Sequence, residues 1–166
     1  TFEAQHSSDD IPIEIRFIEN TNELKTLCPK FDGAYYPGFT SNWDRSIKIG
    51  EVLIVGIVEG EPVAFVWMQK GKVEGVVCYY GVFLQGDARL YRAGVMPGSR
   101  GRGIYTRFMH ALLCKVFEPG DIQRVYIDCH KANIAAYKAH LKSGFRELGR
   151  ITVIRGSRNR RFIRWQ

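Results

Sequence analysis

Apolar and polar residues alternate over Ile13–Ile18, with Ile13, Ile15 and Phe17 set against Glu14 and Arg16, which predicts a first strand. Residues 1–12 ahead of it are polar and are expected to form a loose segment. Thr21 can cap a short helix carrying Leu24 and Leu27, and Pro29 is expected to end it. Residues 30–50 mix aromatics with Gly and Pro and follow no single period. Two β-rich runs come next, Val52–Val58 and Val63–Met68, joined by Glu59-Gly60-Glu61-Pro62 as a hairpin. Gly75–Leu84 and Leu90–Met96 read as two further strands. The period then lengthens. Ile104, Phe108, Met109, Ala111, Leu112, Leu113 and Val116 recur at helical spacing, and Pro119-Gly120 should stop that helix. Val125, Ile127 and Cys129 alternate on a strand that turns Tyr126, Asp128 and His130 to its other face. Asn133–Lys142 predicts a short helix closed by Gly144. Phe145–Ile154 and Arg161–Trp165 are expected as final strands about a turn at Gly156–Asn159. The order implies one mixed α/β domain over residues 13–166, antiparallel in its first half.

Composition narrows the class. The 166 residues are 45% hydrophobic and 25% charged, which is ordinary globular usage. No apolar run approaches the roughly 20 residues of a spanning helix, and no basic-then-apolar leader stands before the first strand. Cys28, Cys78, Cys114 and Cys129 form no CxxC pair, which argues against a zinc ribbon or a disulfide framework and for a reducing, cytoplasmic setting. No metal is expected. The net charge of +7 is concentrated at one end: residues 150–166 hold six arginines and no acid, leaving 18 basic against 17 acidic residues before them. Such an end is either a solvated strand pair or a contact for an anionic partner.

The chemistry concentrates in Val95-Met96-Pro97-Gly98-Ser99-Arg100-Gly101-Arg102-Gly103-Ile104-Tyr105, where a strand ends, a Gly-rich turn follows and a helix begins. Successive amides in such a turn converge on one spot, and the helix start adds positive potential there. Gly101 and Gly103 allow an anion close approach, and Arg100 and Arg102 add charge. The turn is no nucleoside-triphosphate loop, since no Gly-x-x-x-x-Gly-Lys-Ser/Thr is present. Nor is it the dinucleotide fingerprint, because Thr106 stands at the third glycine position.

A second segment lies about thirty residues on: Asn133, Ala136, Lys142, Gly144 and Phe145 in the pattern N-x-x-A then K-x-G-F. With Val95, Pro97, Arg100, Gly101, Gly103 and Ile104, it resembles the GNAT superfamily of acyl-CoA-dependent N-acyltransferases over roughly residues 89–148. That resemblance implies a mixed, mainly antiparallel sheet of six or seven strands with helices on both faces, splayed where the coenzyme enters. It implies direct transfer of an acyl group, most simply acetyl from acetyl-CoA, to a small-molecule or peptide amine. It implies that the amides of Arg100, Gly101, Arg102, Gly103, Ile104 and Tyr105 hold the diphosphate. Gly94, Val95 and Met96 would pair with the pantetheine arm, and Asn133 would contact it. Tyr105 departs from the family, which has a small residue there.

The resemblance also bears on the proton chemistry. Many members carry, seven residues after the Asn, a tyrosine that protonates the leaving thiolate; that position is His140, as in phosphinothricin-type acetyltransferases, with an exposed surface histidine as its other reading. Asn133, Tyr137 and His140 would share a helix face, so Tyr137 is a second candidate, with core packing beside Ile134 and Leu141 as its other reading. Relatives that acetylate protein N-termini often carry Glu at the place of Asp128, the candidate base, with His130 as its substitute. Asp128 can equally cap a loop. Phe31, Tyr35, Tyr36, Phe39 and Trp43 fall in the family's acceptor-binding segment and either line a pocket or fill the core. A ping-pong route through Cys78 or Cys114 lacks a basic activator in sequence. Two rival readings remain: the same fold with a longer acyl chain, and a nucleic-acid or anion-binding module using the arginine-rich end. Only Phe162 and Trp165 interleave aromatics with that end, which disfavours nucleic acid. A homodimer is left open.

Overall fold

The computed structural model describes residues 12–71, 85–155 and 161–165. Five strands form one sheet in the order β1-β2-β3-β4-β5: β1 Glu14–Ile18, β2 Val52–Val58, β3 Glu61–Lys70, β4 Asp87–Val95 and β5 Arg124–Ile127. The first three pairings are antiparallel and β4–β5 is parallel. Strands β6 Ile151–Arg155 and β7 Arg161–Trp165 pair separately and antiparallel, Ile151 opposite Trp165. The expected six- or seven-stranded sheet is therefore a five-stranded sheet and a two-stranded one among the described residues. The strand expected at Gly75–Leu84 and the turn at Gly156–Asn159 lie outside the described residues. No helix among the described residues is long and apolar enough to cross a membrane.

The two central strands are buried on both faces, which is why they read as continuous apolar runs. Leu53, Val55 and Ile57 on β2, with Phe65 and Trp67 on β3, face the helices α1 (Thr21–Ala34) and α2 (Trp43–Lys48). Val52 and Ile54, with Ala64, Val66 and Met68, face α3 (Ile104–Phe117). The sheet thus separates two cores. The β2–β3 turn is tighter than four residues: Glu59 and Gly60 both take positive φ, 52° and 79°, the conformation that matches a two-residue hairpin to strand twist. Gly56 lets α3 settle on the sheet, since a Cβ there would lie 2.6 Å from Phe108 Cδ2.

Two expectations about α1 are corrected. Its cap is Asn20, whose Oδ1 accepts from the Glu23 amide at 2.8 Å, and Thr21 is the first helical residue. Pro29 lies inside the helix and does not end it. A proline there removes the donor to the Lys25 carbonyl, yet Leu24, Leu27 and Phe31 fall on one stripe, and burying Phe31 completely outweighs the lost bond. The helix α4 (Ile134–Lys142) begins one residue later than expected because Asn133 is its cap, accepting from the Ala136 amide at 3.1 Å.

Candidate active site

Strands β4 and β5 run together only from Asp87–Arg124 to Leu90–Ile127. Beyond Leu90, β4 continues to Val95 paired with β3 alone. A β-bulge falls in this stretch. Phe65 pairs with Gly94 and Trp67 with Tyr91, so β4 carries an extra residue, and Arg92 takes a left-handed φ of 49°. Gly94 presses on its neighbours: a Cβ there would meet Phe65 Cε1 at 2.7 Å and the Tyr35 hydroxyl at 3.1 Å.

The chain leaves β4 through a short 3-10 turn at Pro97–Ser99 and enters α3. Gly103 is the N-cap, with φ 68°, and no side chain caps the helix. The amides of Ile104, Tyr105 and Thr106 therefore have no acceptor within the helix. Cβ atoms built on Gly98, Gly101 and Gly103 would meet nothing within 4 Å. An open cradle of amides with no side chain inside it suits the diphosphate of coenzyme A. The Arg100 side chain does not join that cradle. Its Nε donates to the Val95 carbonyl at 3.2 Å and its guanidinium lies 5.8 Å from the centre of the Tyr35 ring. The Val95 carbonyl also accepts from the Tyr35 hydroxyl at 2.8 Å, and the Met96 amide donates to Val63 at 2.9 Å. Of the stretch expected to pair with pantetheine, Val95 O and Met96 N are thus already engaged within the chain.

Behind the cradle, the end of α4 holds His140. Gly144, with φ 95°, closes the helix: the Gly144 amide donates to Leu141 and the Phe145 amide to the His140 carbonyl, each at 3.1 Å. The Phe145 ring lies 5.9 Å from the imidazole. The Gly-Phe pair of the second motif thus closes α4 and braces the histidine. His140 is buried, and its Nε2 lies 2.8 Å from the hydroxyl of Tyr105, in the first turn of α3. Burial lowers the His140 pKa below the ordinary histidine value, while the charge of Asp128 pulls it up. Burial raises the Tyr105 pKa, keeping the phenol protonated. Asp128 itself is half-exposed and pairs with Arg89 of β4 at 3.3 Å.

On the opposite face of the sheet, a cavity of about 440 Å³ opens beside the bulge. Its walls are the rings of Tyr35, Tyr36, Phe39, Trp43, Phe65 and Trp67, with Arg92 and Arg100 beside them. Tyr35 and Phe39 stack at 4.3 Å, and Asp32 fastens their loop to α1 by accepting from the Thr40 amide at 2.8 Å.

The model of the acetyltransferase (GNAT) family matches residues 25–145. The chain belongs to that family. Its activity is that of an acyl-CoA-dependent N-acetyltransferase. Solved structures share the GNAT fold at low identity. The aminoglycoside acetyltransferase AAC(6')-Ib, in complex with coenzyme A and kanamycin, is 14% identical, with a TM-score of 0.66 over 93% of this chain and 94% of that one. AAC(6')-Iy, in complex with a bisubstrate analogue, is 18% identical, with a TM-score of 0.61 over 87% of this chain and 98% of that one. An aminoglycoside acetyltransferase from an uncultured soil metagenomic sample is 18% identical, with a TM-score of 0.57 over 82% and 93%.

Within this GNAT domain the candidate residues separate. Tyr105, His140 and Asp128 come together between α3, α4 and the end of β5. Tyr137 is 38% exposed, beside the exposed Ile134 and Leu141, and its hydroxyl donates to Glu147 at 2.8 Å. That bond raises the Tyr137 pKa and lowers that of Glu147. A core position does not describe it. Asn133 is exposed, with its Oδ1 occupied by the cap. His130 Nδ1 accepts from the Ala132 amide at 3.2 Å, a local turn contact. Cys129 has its thiol pKa raised, chiefly by burial, which suits a packing residue better than a nucleophile. The aromatic segment divides: Phe31 and Trp43 are core, and Trp43 also forms cavity wall together with Tyr35, Tyr36 and Phe39. Arg89, Arg92 and Trp67 are not legible as site residues in the sequence, because only strand register and the bulge bring them to the site.

Proposed function

We propose that this GNAT protein transfers an acetyl group from its coenzyme A thioester to a primary amine in a ternary complex. The observation that carries this reading is the junction of β4 and α3: a strand released from its parallel neighbour runs straight into an uncapped, glycine-lined helix start. The Gly101–Tyr105 amides hold the diphosphate, and the released length of β4 lies along the pantetheine arm. The amine nitrogen attacks the thioester carbonyl carbon, the C–N bond forms and the C–S bond breaks. Asp128, exposed at the end of β5, receives the amine proton through solvent. His140 supplies the proton to the leaving sulfur. Burial lowers the His140 pKa, the nearby Asp128 charge offsets part of that shift, and Tyr105 fixes the ring. The raised Cys129 thiol pKa supports direct attack over an acyl-cysteine route.

The test is a panel of amines assayed for acetyl-CoA-dependent thiol release, with the acetylated product identified by mass. Turnover of at least one primary amine, with a single acetyl gained and one thiol released per product, is the expected result. Failure of acetyl-CoA to raise the melting temperature at millimolar concentration would count against the whole reading, because a ligand of the folded state must stabilise it.

A further inference from the structure

The aromatic cavity beside the bulge has a charge pattern that acyl transfer alone does not require. Two guanidinium groups reach its lining, Arg92 and Arg100, and no Asp or Glu lines it among the described residues. Glu51, near the Tyr91 hydroxyl, is buried and outside the lining. Both arginines lie against rings, Arg92 at 5.6 Å from the Tyr91 centroid and Arg100 at 5.8 Å from that of Tyr35. Flat rings with two planar cations make a site for a flat apolar body carrying a carboxylate. A polyamino sugar is the opposite case, since its ammonium groups would meet two guanidiniums and no carboxylate.

We infer that the amine acceptor is a free aromatic amino carboxylate, its ring held by the Tyr35–Phe39–Trp43 wall and its carboxylate by Arg92. This inference rests on the N-acetyltransferase reading above. Arg92 is then a specificity residue. The bulge places it: the left-handed turn of β4 at Arg92 inserts one extra residue opposite β3 and brings that side chain to the cavity.

The experiment compares tryptophan, tryptophan amide, tryptamine and kanamycin as acceptors in the thiol-release assay, for the wild type, Arg92→Gln and Arg92→Lys. Acetyl-CoA-induced thermal stabilisation reports on the fold and donor site of each protein. Tryptophan should exceed its amide and tryptamine in kcat/KM by roughly ten- to hundredfold, the range expected for a charge-assisted contact. Arg92→Gln should collapse that ratio by losing more on tryptophan than on tryptamine, and Arg92→Lys should restore part of it. If acetyl-CoA stabilises the protein and tryptamine, the amide or kanamycin is used as well as tryptophan or better, the inference is wrong and the transferase reading stands. The inference is equally wrong if Arg92→Gln leaves the ratio unchanged, or if tryptophan is not used at all. If acetyl-CoA neither stabilises the protein nor releases thiol with any amine, both readings fall together.

Discussion

Replacing Tyr105 with Phe removes one oxygen from the contact between α3 and α4 and little else. That oxygen lies 2.8 Å from His140 Nε2, and His140 is 7% exposed, so water has little room to take its place. A buried polar atom left without its partner costs about 1–3 kcal/mol. In a domain of this size that lowers the melting temperature by roughly 2–12 °C. The imidazole gives a second readout with a definite sign. Its pKa in the folded state lies below the ordinary 6.5, chiefly through burial. The unfolded chain therefore takes up the proton first as pH falls. Stability should be full above 6.5, decline as pH drops from there through the lowered folded value, and level off beneath it. His140→Gln keeps a partner for Tyr105 and abolishes the titration, so the acid-side decline should shrink in that variant. The assay is a set of urea melts at stepped pH for the wild type, Tyr105→Phe, His140→Gln and the double variant, with NMR titration of His140 in the first two. Unchanged melting and an unchanged His140 titration in Tyr105→Phe would show that the hydroxyl is not the partner of the imidazole.

Other outcomes follow from the same geometry. Gly103→Val should abolish stabilisation by acetyl-CoA in a thermal-shift assay, since it strains a φ of 68° and fills the open side of the cradle. Gly56→Ala should cost about 1–3 kcal/mol in urea melts, because its Cβ would lie 2.6 Å from Phe108 Cδ2. His140→Phe should depress turnover roughly a hundredfold or more at every pH while acetyl-CoA still stabilises the protein. Asp128→Asn should lower turnover most near neutral pH and recover part of it at higher pH, where more of the amine is already unprotonated; a uniform loss across a pH–rate profile would remove Asp128 as base.

The features legible in the chain are those that neighbours in sequence decide. The β2–β3 hairpin follows from two apolar runs about a turn that holds Gly60, and α3 from its apolar spacing. The Gly-rich turn is legible because backbone conformation, rather than a distant contact, gives those glycines their use. Sequence and structure part where two local signals compete. Asn20 and Thr21 are both capping residues, and the chain uses the one whose side chain reaches the Glu23 amide. Pro29 is a helix breaker overruled by the burial of Phe31. The rest depends on contacts no window spans. Tyr105 and His140 are 35 residues apart, and Arg89 and Asp128 are 39 apart. Tyr137 shows the limit of helical spacing: the i, i+4, i+7 rule puts it on the side of His140 but cannot say that it is exposed and that its hydroxyl is taken by Glu147.

The two cores on either side of the sheet bear on how such an enzyme changes. The cradle and His140 rest on the layer of α3 and α4, while the aromatic cavity rests on the layer of α1 and α2. If the cavity takes the amine as inferred above, mutations at Tyr36, Phe39 and Trp43 should redraw the choice of amine and add in free energy to changes around Tyr105, whereas Tyr35 is tied to the donor side by its bond to the Val95 carbonyl. Gly94 is different: a Cβ there would press on Phe65 and on the Tyr35 hydroxyl that holds the Val95 carbonyl, so a lineage or a designer exploring new acceptors has far less room at that point of the strand.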